Sequence, residues 1–123
     1  MLSGAELVAF VPTADAARSR NFYEGTLGLP LVEQTRFACV YRAHNAELRV
    51  TVVPSTARAA YTVLGWRVPD IAAAAGWLRE RGVELMRYEG LQQDALGVWK
   101  APSGARILWF SDPDGNVLSL TQI

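Results

Sequence analysis

The side chains best suited to nucleophilic or metal chemistry are few and scattered. His44 is the only histidine and Cys39 the only cysteine of the 123 residues. A nucleophilic serine or cysteine needs a histidine beside it, whereas His44 falls in a predicted polar turn next to Asn45. Cys39 falls in the middle of a predicted strand and is interpreted as a buried structural thiol. We therefore expect neither a catalytic triad nor a thiolate metal cluster.

One group of acidic and amide residues has the order of a calcium loop. Asp112, Asp114 and Asn116 alternate along the chain, but the remaining acidic ligands of such a loop are missing. Pro113 and Gly115 lie between them, and this composition is typical of a tight turn. We interpret the three polar residues as turn formers.

The composition restricts the class of protein. Twelve basic and twelve acidic residues give a net charge of zero, which disfavours binding to nucleic acid or to an acidic membrane surface. The chain shows neither a signal-peptide pattern nor an apolar run long enough to cross a bilayer. A lone cysteine suits a reducing compartment. We expect a cytoplasmic globular protein of one domain, with partners other than nucleic acid and membranes.

The elements that would position these residues follow a repeated order. Leu7 to Val11 is predicted as a strand, and Asp15 can cap a helix that runs to about Leu27. Gly28 suits the left-handed residue that ends a helix, and Leu29 to Glu33 is predicted as the next strand. The first half therefore begins with a strand, a helix and a strand.

The same signals return in the second half. Thr62 to Val68 is predicted as a strand, Asp70 as a cap, and Ile71 to Arg81 as a helix that ends at Gly82. Val83 to Met86 is predicted as the following strand. Each half then continues with further strands. These are Phe37 to Arg42 and Glu47 to Val53 in the first, and Val98 to Ala101, Arg106 to Ser111 and Val117 to Gln122 in the second.

This repeated order predicts an α+β fold of two βαβββ modules within a single domain covering residues 1–123. Module one spans about 1–54, a linker spans about 55–60, and module two spans about 61–123. Because each module has a helix for only one face of its sheet, we expect the two mixed sheets to form a cup around a shared cavity.

Three segments resemble one protein family. They are FVPTADAARSRNFYEGTLGLPL (Phe10 to Leu31), WRVPDIAAAAGWLRERGVEL (Trp66 to Leu85) and WFSDPDGNVLSL (Trp109 to Leu120). In order and spacing they are similar to the vicinal oxygen chelate superfamily, which contains glyoxalases, bleomycin resistance proteins and dioxygenases. The resemblance implies paired βαβββ modules, frequent homodimers, and in many members a divalent metal that chelates vicinal oxygens of the substrate.

The resemblance also implies where metal ligands would lie. The family positions correspond to Val8, Val63, Ser119 and, in the first module, Arg49 or Thr51 if the register shifts by one alternation. Valine has no lone pair, arginine is a cation, and a serine hydroxyl is a weak neutral donor. We therefore expect no bound metal and no cofactor.

The expected occupant of the cavity is a small organic molecule. Alternation places Arg49 and Thr51 on the face opposite Leu48 and Val50, which suit packing under a helix. Arg49 and Arg67 could bind a carboxylate or phosphate, or could equally serve as surface or structurally paired arginines. The same alternation directs inward Phe10, Arg67, Ile107, Trp109 and Ser119.

The segment from Tyr88 to Trp99 has no clear periodicity and is predicted as a loop over the cavity mouth. Tyr88, Gln93, Asp94 and Trp99 could contact a ligand there, although an ordinary surface loop explains the pattern equally well.

Three functions stay open at this point. The first is a metal-free protein that binds a small planar or anionic molecule. The second is a metal-dependent lyase, isomerase or dioxygenase whose ligands lie elsewhere or come from a partner subunit. The third is a metal-free enzyme with Glu47 or Asp94 as general base.

Overall fold

The computed structural model describes residues 1–123, which divide into two compact units. The first unit contains Met1–Arg58 together with Pro113–Gly115, and the second contains Ala59–Asp112 together with Asn116–Ile123. The main boundary falls between Arg58 and Ala59, inside the predicted linker.

The first unit is built on a four-stranded mixed sheet. Its strands are β1 (Leu7–Thr13), β2 (Leu31–Gln34), β3 (Ala38–Ala43) and β4 (Ala46–Val52), in the spatial order β1-β4-β3-β2. β1 runs parallel to β4, and the other neighbours are antiparallel. A short helix, α1 (Ala16–Arg20), follows β1.

The second unit repeats this topology. Its strands are β5 (Thr62–Arg67), β6 (Trp99–Lys100), β7 (Arg106–Ser111) and β8 (Val117–Gln122), in the order β5-β8-β7-β6, and its helix is α2 (Ile71–Glu80). β5 runs parallel to β8, as β1 does to β4. The prediction of an α+β fold with two βαβββ modules is confirmed.

The predicted helix boundaries depend on local signals that the structure reproduces. The carboxylate of Asp15 accepts a hydrogen bond from Arg18 N at 3.1 Å, and that of Asp70 accepts one from Ala73 N at 3.1 Å. Gly28 and Gly82 have φ of 72° and 77°, the left-handed region in which a Cβ would be strained.

Two predicted elements differ from the structure. The first helix does not run as an α-helix to Leu27, because Asn21–Thr26 forms a π-helix that follows α1. This turn holds Tyr23 fully buried, with its ring centroid 6.0 Å from that of Tyr41. The predicted strand at 83–86 is reduced to one bridge between Leu85 and Phe110. The chain then leaves the sheet, and the ladder to β7 resumes only at Trp99, opposite Ile107.

Each sheet buries one face, which in the second unit packs against the helix. In the first unit the buried face carries Val11, Tyr41, Leu48 and Val50, and Arg49 and Thr51 alternate to the opposite face. In the second unit α2 contacts β7 and β8, and Leu108, Phe110 and Leu118 are almost completely buried there. The opposite face of each sheet is called its open face below, although Ala38 and Val40 on this face of the first sheet and Val117 on that of the second are buried. No helix of the structure is long and apolar enough to cross a membrane.

Candidate functional site

The open face of the second sheet carries half of the predicted ligand-contacting residues: Arg67, Tyr88, Trp99, Trp109 and Ser119. One cross-strand row contains Gly65, Ser119 and Trp109, because β5 pairs with β8 and β8 with β7 in that register. The neighbouring row joins Arg67, Thr121, Ile107 and Trp99 across all four strands. Side chains in facing positions of adjacent strands point to the same side of a sheet.

Three aromatic side chains form a cluster on this face, called the aromatic cluster below: Tyr88, Trp99 and Trp109. The Tyr88 ring meets Trp109 edge-on, with centroids 5.2 Å apart and planes at 86°. The Trp99 ring lies 6.1 Å from Trp109 at 34°. All three side chains are half-buried, so the cluster keeps part of its ring surface accessible. Accessible, fixed aromatic surface with few polar groups is typical of small-molecule sites.

The loop that carries Tyr88 is ordered by its own polar side chains. The side-chain amide of Gln93 accepts a hydrogen bond from Tyr88 N and donates to Met86 O and Gly97 O. Asp94 Oδ1 accepts hydrogen bonds from Leu96 N and Val98 N, each at 2.9 Å. The structure therefore uses Gln93 and Asp94 to shape the loop. Sequence reasoning proposed them as ligand contacts because it could not identify these backbone partners.

The two arginines considered for anion binding have different surroundings. Arg49 Nη1 lies 3.6 Å from Glu47 Oε2 on the same strand, so its charge is partly compensated. Arg67 is exposed at the end of β5, and no carboxylate of the chain lies within ion-pair distance of it. Of the two, Arg67 is the cation available to a ligand.

Two residues of this face were not identified from the sequence. A Cβ added to Gly65 would lie 2.7 Å from Ser119 Oγ, so the glycine keeps the backbone bare beside that hydroxyl. A glycine inside a strand was the available signal, since it marks weak packing or a close approach. Met86 accepts hydrogen bonds at its sulfur from Tyr88 Oη at 3.9 Å and Ser111 Oγ at 3.5 Å. No local pattern distinguishes this methionine from one in the core.

The open face of the first sheet has fewer side chains that could hold a ligand. Phe10 faces Arg49 in the parallel register and is 65% exposed. Thr51 follows on the same face of β4 and is half-buried. These side chains provide one ring, a paired ion and a hydroxyl, without the ring contacts that order the second sheet.

The residues at the family's metal positions do not fit a metal. Val8 faces Glu47 across β1 and β4, while Val63 lies at the register shift of β5 and Ser119 lies in the middle of β8. Neither valine can donate an electron pair, and Arg49 carries a positive charge. No group of three or more His, Cys, Asp or Glu side chains is placed to hold a metal ion.

The remaining candidate residues have structural positions. His44 lies in the turn between β3 and β4 with φ of 55°, and Cys39 is buried in the first sheet. Asp112 binds Asn116 through both a backbone and a side-chain hydrogen bond. Asp114 is also a turn residue, and its buried carboxylate accepts hydrogen bonds from the first unit.

Comparison with known proteins decides the family. Residues 7–120 match the model of the Glyoxalase/Bleomycin resistance protein/Dioxygenase superfamily, which covers most of the chain. The chain belongs to this superfamily. No curated protein sequence matches it. At the positions where the resemblance implies metal ligands, this chain has Val8, Val63, Ser119 and Arg49 instead of the ligand residues of metal-binding members.

Solved structures of the superfamily share the fold at low sequence identity. A member from Sphaerobacter thermophilus is 21% identical with a TM-score of 0.76, and all of both chains is covered. A protein from Alicyclobacillus acidocaldarius is 15% identical with a TM-score of 0.74, covering 97% of this chain and 91% of its own. Lactoylglutathione lyase from Agrobacterium tumefaciens is 15% identical with a TM-score of 0.72, covering 97% and 93%.

Proposed function

We propose that the open face of the second sheet binds a planar organic anion, without a metal. The aromatic cluster carries this proposal, because a flat ring system gains most from accessible tryptophan surface that is already held in place. Arg67 supports an anionic ligand, because it is the exposed, unpaired cation on the same face.

The spacing of the strands suits a molecule of about two fused rings. Arg67 and Trp109 lie on strands separated by β8 and two residues apart in register, so their backbones are about 12 Å apart. The arginine side chain extends over part of that distance, and Gly65 and Ser119 contribute little bulk between them. A bicyclic aromatic carboxylate could therefore lie on Trp109 with its charge directed to Arg67.

Calorimetric titration with three probes tests the proposal. Naphthalene-2-carboxylate has both features, naphthalene-2-carboxamide lacks the charge, and cyclohexanecarboxylate lacks the aromatic plane. We expect naphthalene-2-carboxylate to bind best. Trp109→Ala should abolish its binding, and Arg67→Gln should weaken it about tenfold or more while leaving the carboxamide unaffected. Arg49→Gln is the matched control, because that arginine is paired and lies in the first unit.

Two results would overturn the proposal. One is absence of binding for all three probes at millimolar concentration, and the other is naphthalene-2-carboxylate binding that Trp109→Ala leaves unchanged. Chemical shifts of the Trp99 and Trp109 indole N–H groups locate the contact independently of the heat signal.

The alternative functions have less support from the geometry. For a metal-dependent enzyme the donor set at Val8, Val63, Ser119 and Arg49 is unsuitable. Elemental analysis of protein purified without chelator and then dialysed tests this directly, since near-stoichiometric zinc, nickel, iron or manganese would favour the enzyme. As general bases, Asp94 and Glu47 are already engaged, the first by two backbone N–H groups and the second by Arg49.

A further inference from the structure

We propose that Gln93 is the positioning residue of the aromatic cluster and determines which shapes of ligand it accepts, an inference that rests on the proposed function. The side chain of Gln93 takes no part in binding the ligand itself. It acts through Tyr88, whose backbone it holds so that the ring lies beside Trp109.

The geometry of one amide group supports this role. Gln93 Oε1 accepts a hydrogen bond from Tyr88 N at 2.7 Å. Gln93 Nε2 donates to Met86 O at 2.9 Å and to Gly97 O at 2.8 Å. Both N–H groups and the carbonyl of the amide are thus engaged by backbone on the two arms of the loop. Arg87 also links the first arm to the loop tip, but its exposed side chain bonds to Asp94 O and Ala95 O and does not engage Tyr88 N.

These bonds connect Gln93 to the aromatic cluster through Tyr88. Met86 N donates to Trp109 O at 2.8 Å, so the residue that Gln93 holds is fixed to β7 beside the central ring. Tyr88, whose N–H donates to Gln93, places its ring perpendicular to that of Trp109. Trp99 is held separately by its backbone, which forms a bridge with Gln93 and pairs with Ile107 of β7. Removal of the amide therefore releases Tyr88 and leaves Trp99 in the sheet.

The neighbouring polar residues have a separate task. Asp94 closes the turn through Leu96 N and Val98 N, and Arg87 donates from Nη2 to Asp94 O and Ala95 O. The Asp94 bonds lie within the tip of the loop, and the Arg87 bonds join the first arm to that tip, but none of them engages Tyr88 N or Met86 O. A variant at Gln93 should consequently keep the turn and release Tyr88 N.

The fixed edge-on Tyr88 ring is what gives the site its selectivity. A ring held perpendicular to Trp109 leaves a defined surface that a flat molecule can cover, while a thicker saturated ring meets the Tyr88 side chain. Once Tyr88 is released, the site loses its preorganisation for flat ligands. The ratio of affinities for naphthalene-2-carboxylate and cyclohexanecarboxylate therefore measures the contribution of Gln93.

Gln93→Ala tests the proposal, with Gln92→Ala as the matched control, since Gln92 is the adjacent, exposed glutamine. In the ligand-free protein we expect altered near-ultraviolet circular dichroism, shifted Trp99 and Trp109 indole signals, and about tenfold faster exchange of the Tyr88 amide hydrogen. With ligand, the naphthalene to cyclohexane affinity ratio should fall about tenfold. Gln92→Ala should match the wild type in all four readouts.

Gln93→Glu adds a pH signature that general loss of structure would not produce. The ionised carboxylate would face the carbonyls of Met86 and Gly97 without donors, whereas the protonated form regains one O–H donor. We expect the ligand-free indole signals of Gln93→Glu to recover as the pH is lowered, and those of Gln93→Ala to stay unchanged. This variant also decides the matter if Gln93→Ala does not fold.

The ligand-free readouts separate this inference from the proposed function. If the wild type binds no probe but Gln93→Ala still releases Tyr88, the proposed function fails while the positioning role stands. If Gln93→Ala weakens binding with unchanged ligand-free signals, Gln93 contacts the ligand directly and the positioning role is wrong. If Gln93→Ala changes neither the ligand-free signals nor the affinity ratio, the positioning role is also wrong.

Discussion

The buried carboxylate of Asp114 allows a quantitative test of how the first unit is stabilised. Its side chain is fully buried and accepts hydrogen bonds from the Thr13 hydroxyl at 2.6 Å, Ala14 N at 2.9 Å and the Thr56 hydroxyl at 3.2 Å. Arg18 Nη2 adds an ion pair at 3.3 Å. One carboxylate therefore joins the end of β1, the start of the first helix and the segment after β4.

We expect Asp114→Ala to lower the free energy of unfolding by about 4 kcal/mol, because removing one partner of a buried charged group typically costs about 3–5 kcal/mol. The Arg18 side chain is 51% exposed, so its charge is screened, and we assign most of the loss to the three hydrogen bonds from Thr13, Ala14 and Thr56. Asp114→Asn keeps an acceptor oxygen and should cost about 2 kcal/mol. Urea denaturation followed by tryptophan fluorescence measures both, with the exposed Glu84→Gln as control.

The same contacts determine the sign of the pH dependence. Burial by itself would raise the pKa of Asp114, but hydrogen bonds from Ala14, Thr13 and Thr56 and the charge of Arg18 together lower it. A carboxylate with a lowered folded pKa stabilises the fold above its unfolded pKa of about 3.9, and this stabilisation disappears as the pH falls through the folded value.

Wild type should therefore lose more stability than Asp114→Asn when the pH is lowered from about 5 to about 2. The reasoning is refuted if Asp114→Ala costs less than about 1 kcal/mol, or if Asp114→Asn keeps the acid dependence of the wild type.

Three further changes have expected outcomes. Ser19→Ala should raise the free energy of unfolding by about 1 kcal/mol in urea titrations, because the buried Ser19 hydroxyl has no hydrogen-bond partner and alanine favours a helix; a loss of stability would contradict this. Gly65→Ala should weaken naphthalene-2-carboxylate about tenfold in calorimetry, since the new Cβ would lie 2.7 Å from Ser119 Oγ, and adding Ser119→Ala should restore part of the affinity. No recovery in the double variant would exclude that clash. Phe10→Asp should convert an expected homodimer to a monomer by light scattering, because Phe10 is 65% exposed on β1, at the edge of its sheet. Phe37 is similarly exposed, so Phe37→Asp is the control. A monomeric wild type would contradict the prediction of a homodimer.

The elements could be predicted because they depend on signals close together in the chain. Asp15 and Asp70 cap helices within one turn, and Gly28 and Gly82 end them in a conformation that glycine adopts without strain. Strand alternation likewise placed Arg49 and Trp109 on the open faces, since successive side chains point to opposite sides of any strand. The π-helix at Asn21–Thr26 was missed, because it forms with Tyr23 buried against the distant Tyr41.

The candidate site, like the fold, was predicted only in part from the sequence. The duplicated fold and the face on which Trp109 lies follow from the sequence alone, whereas the metal positions at Val8 and Val63 are what the family resemblance implies. Only the tertiary structure decided what the polar residues do. In the folded chain Arg49 pairs with Glu47, the Gln93 amide forms hydrogen bonds with backbone groups, and Thr13 donates to Asp114, 101 residues away. A hydrogen bond needs its partner within about 3 Å, and residues as far apart in sequence as Thr13 and Asp114 are brought together only by folding, which leaves no mark in the local pattern.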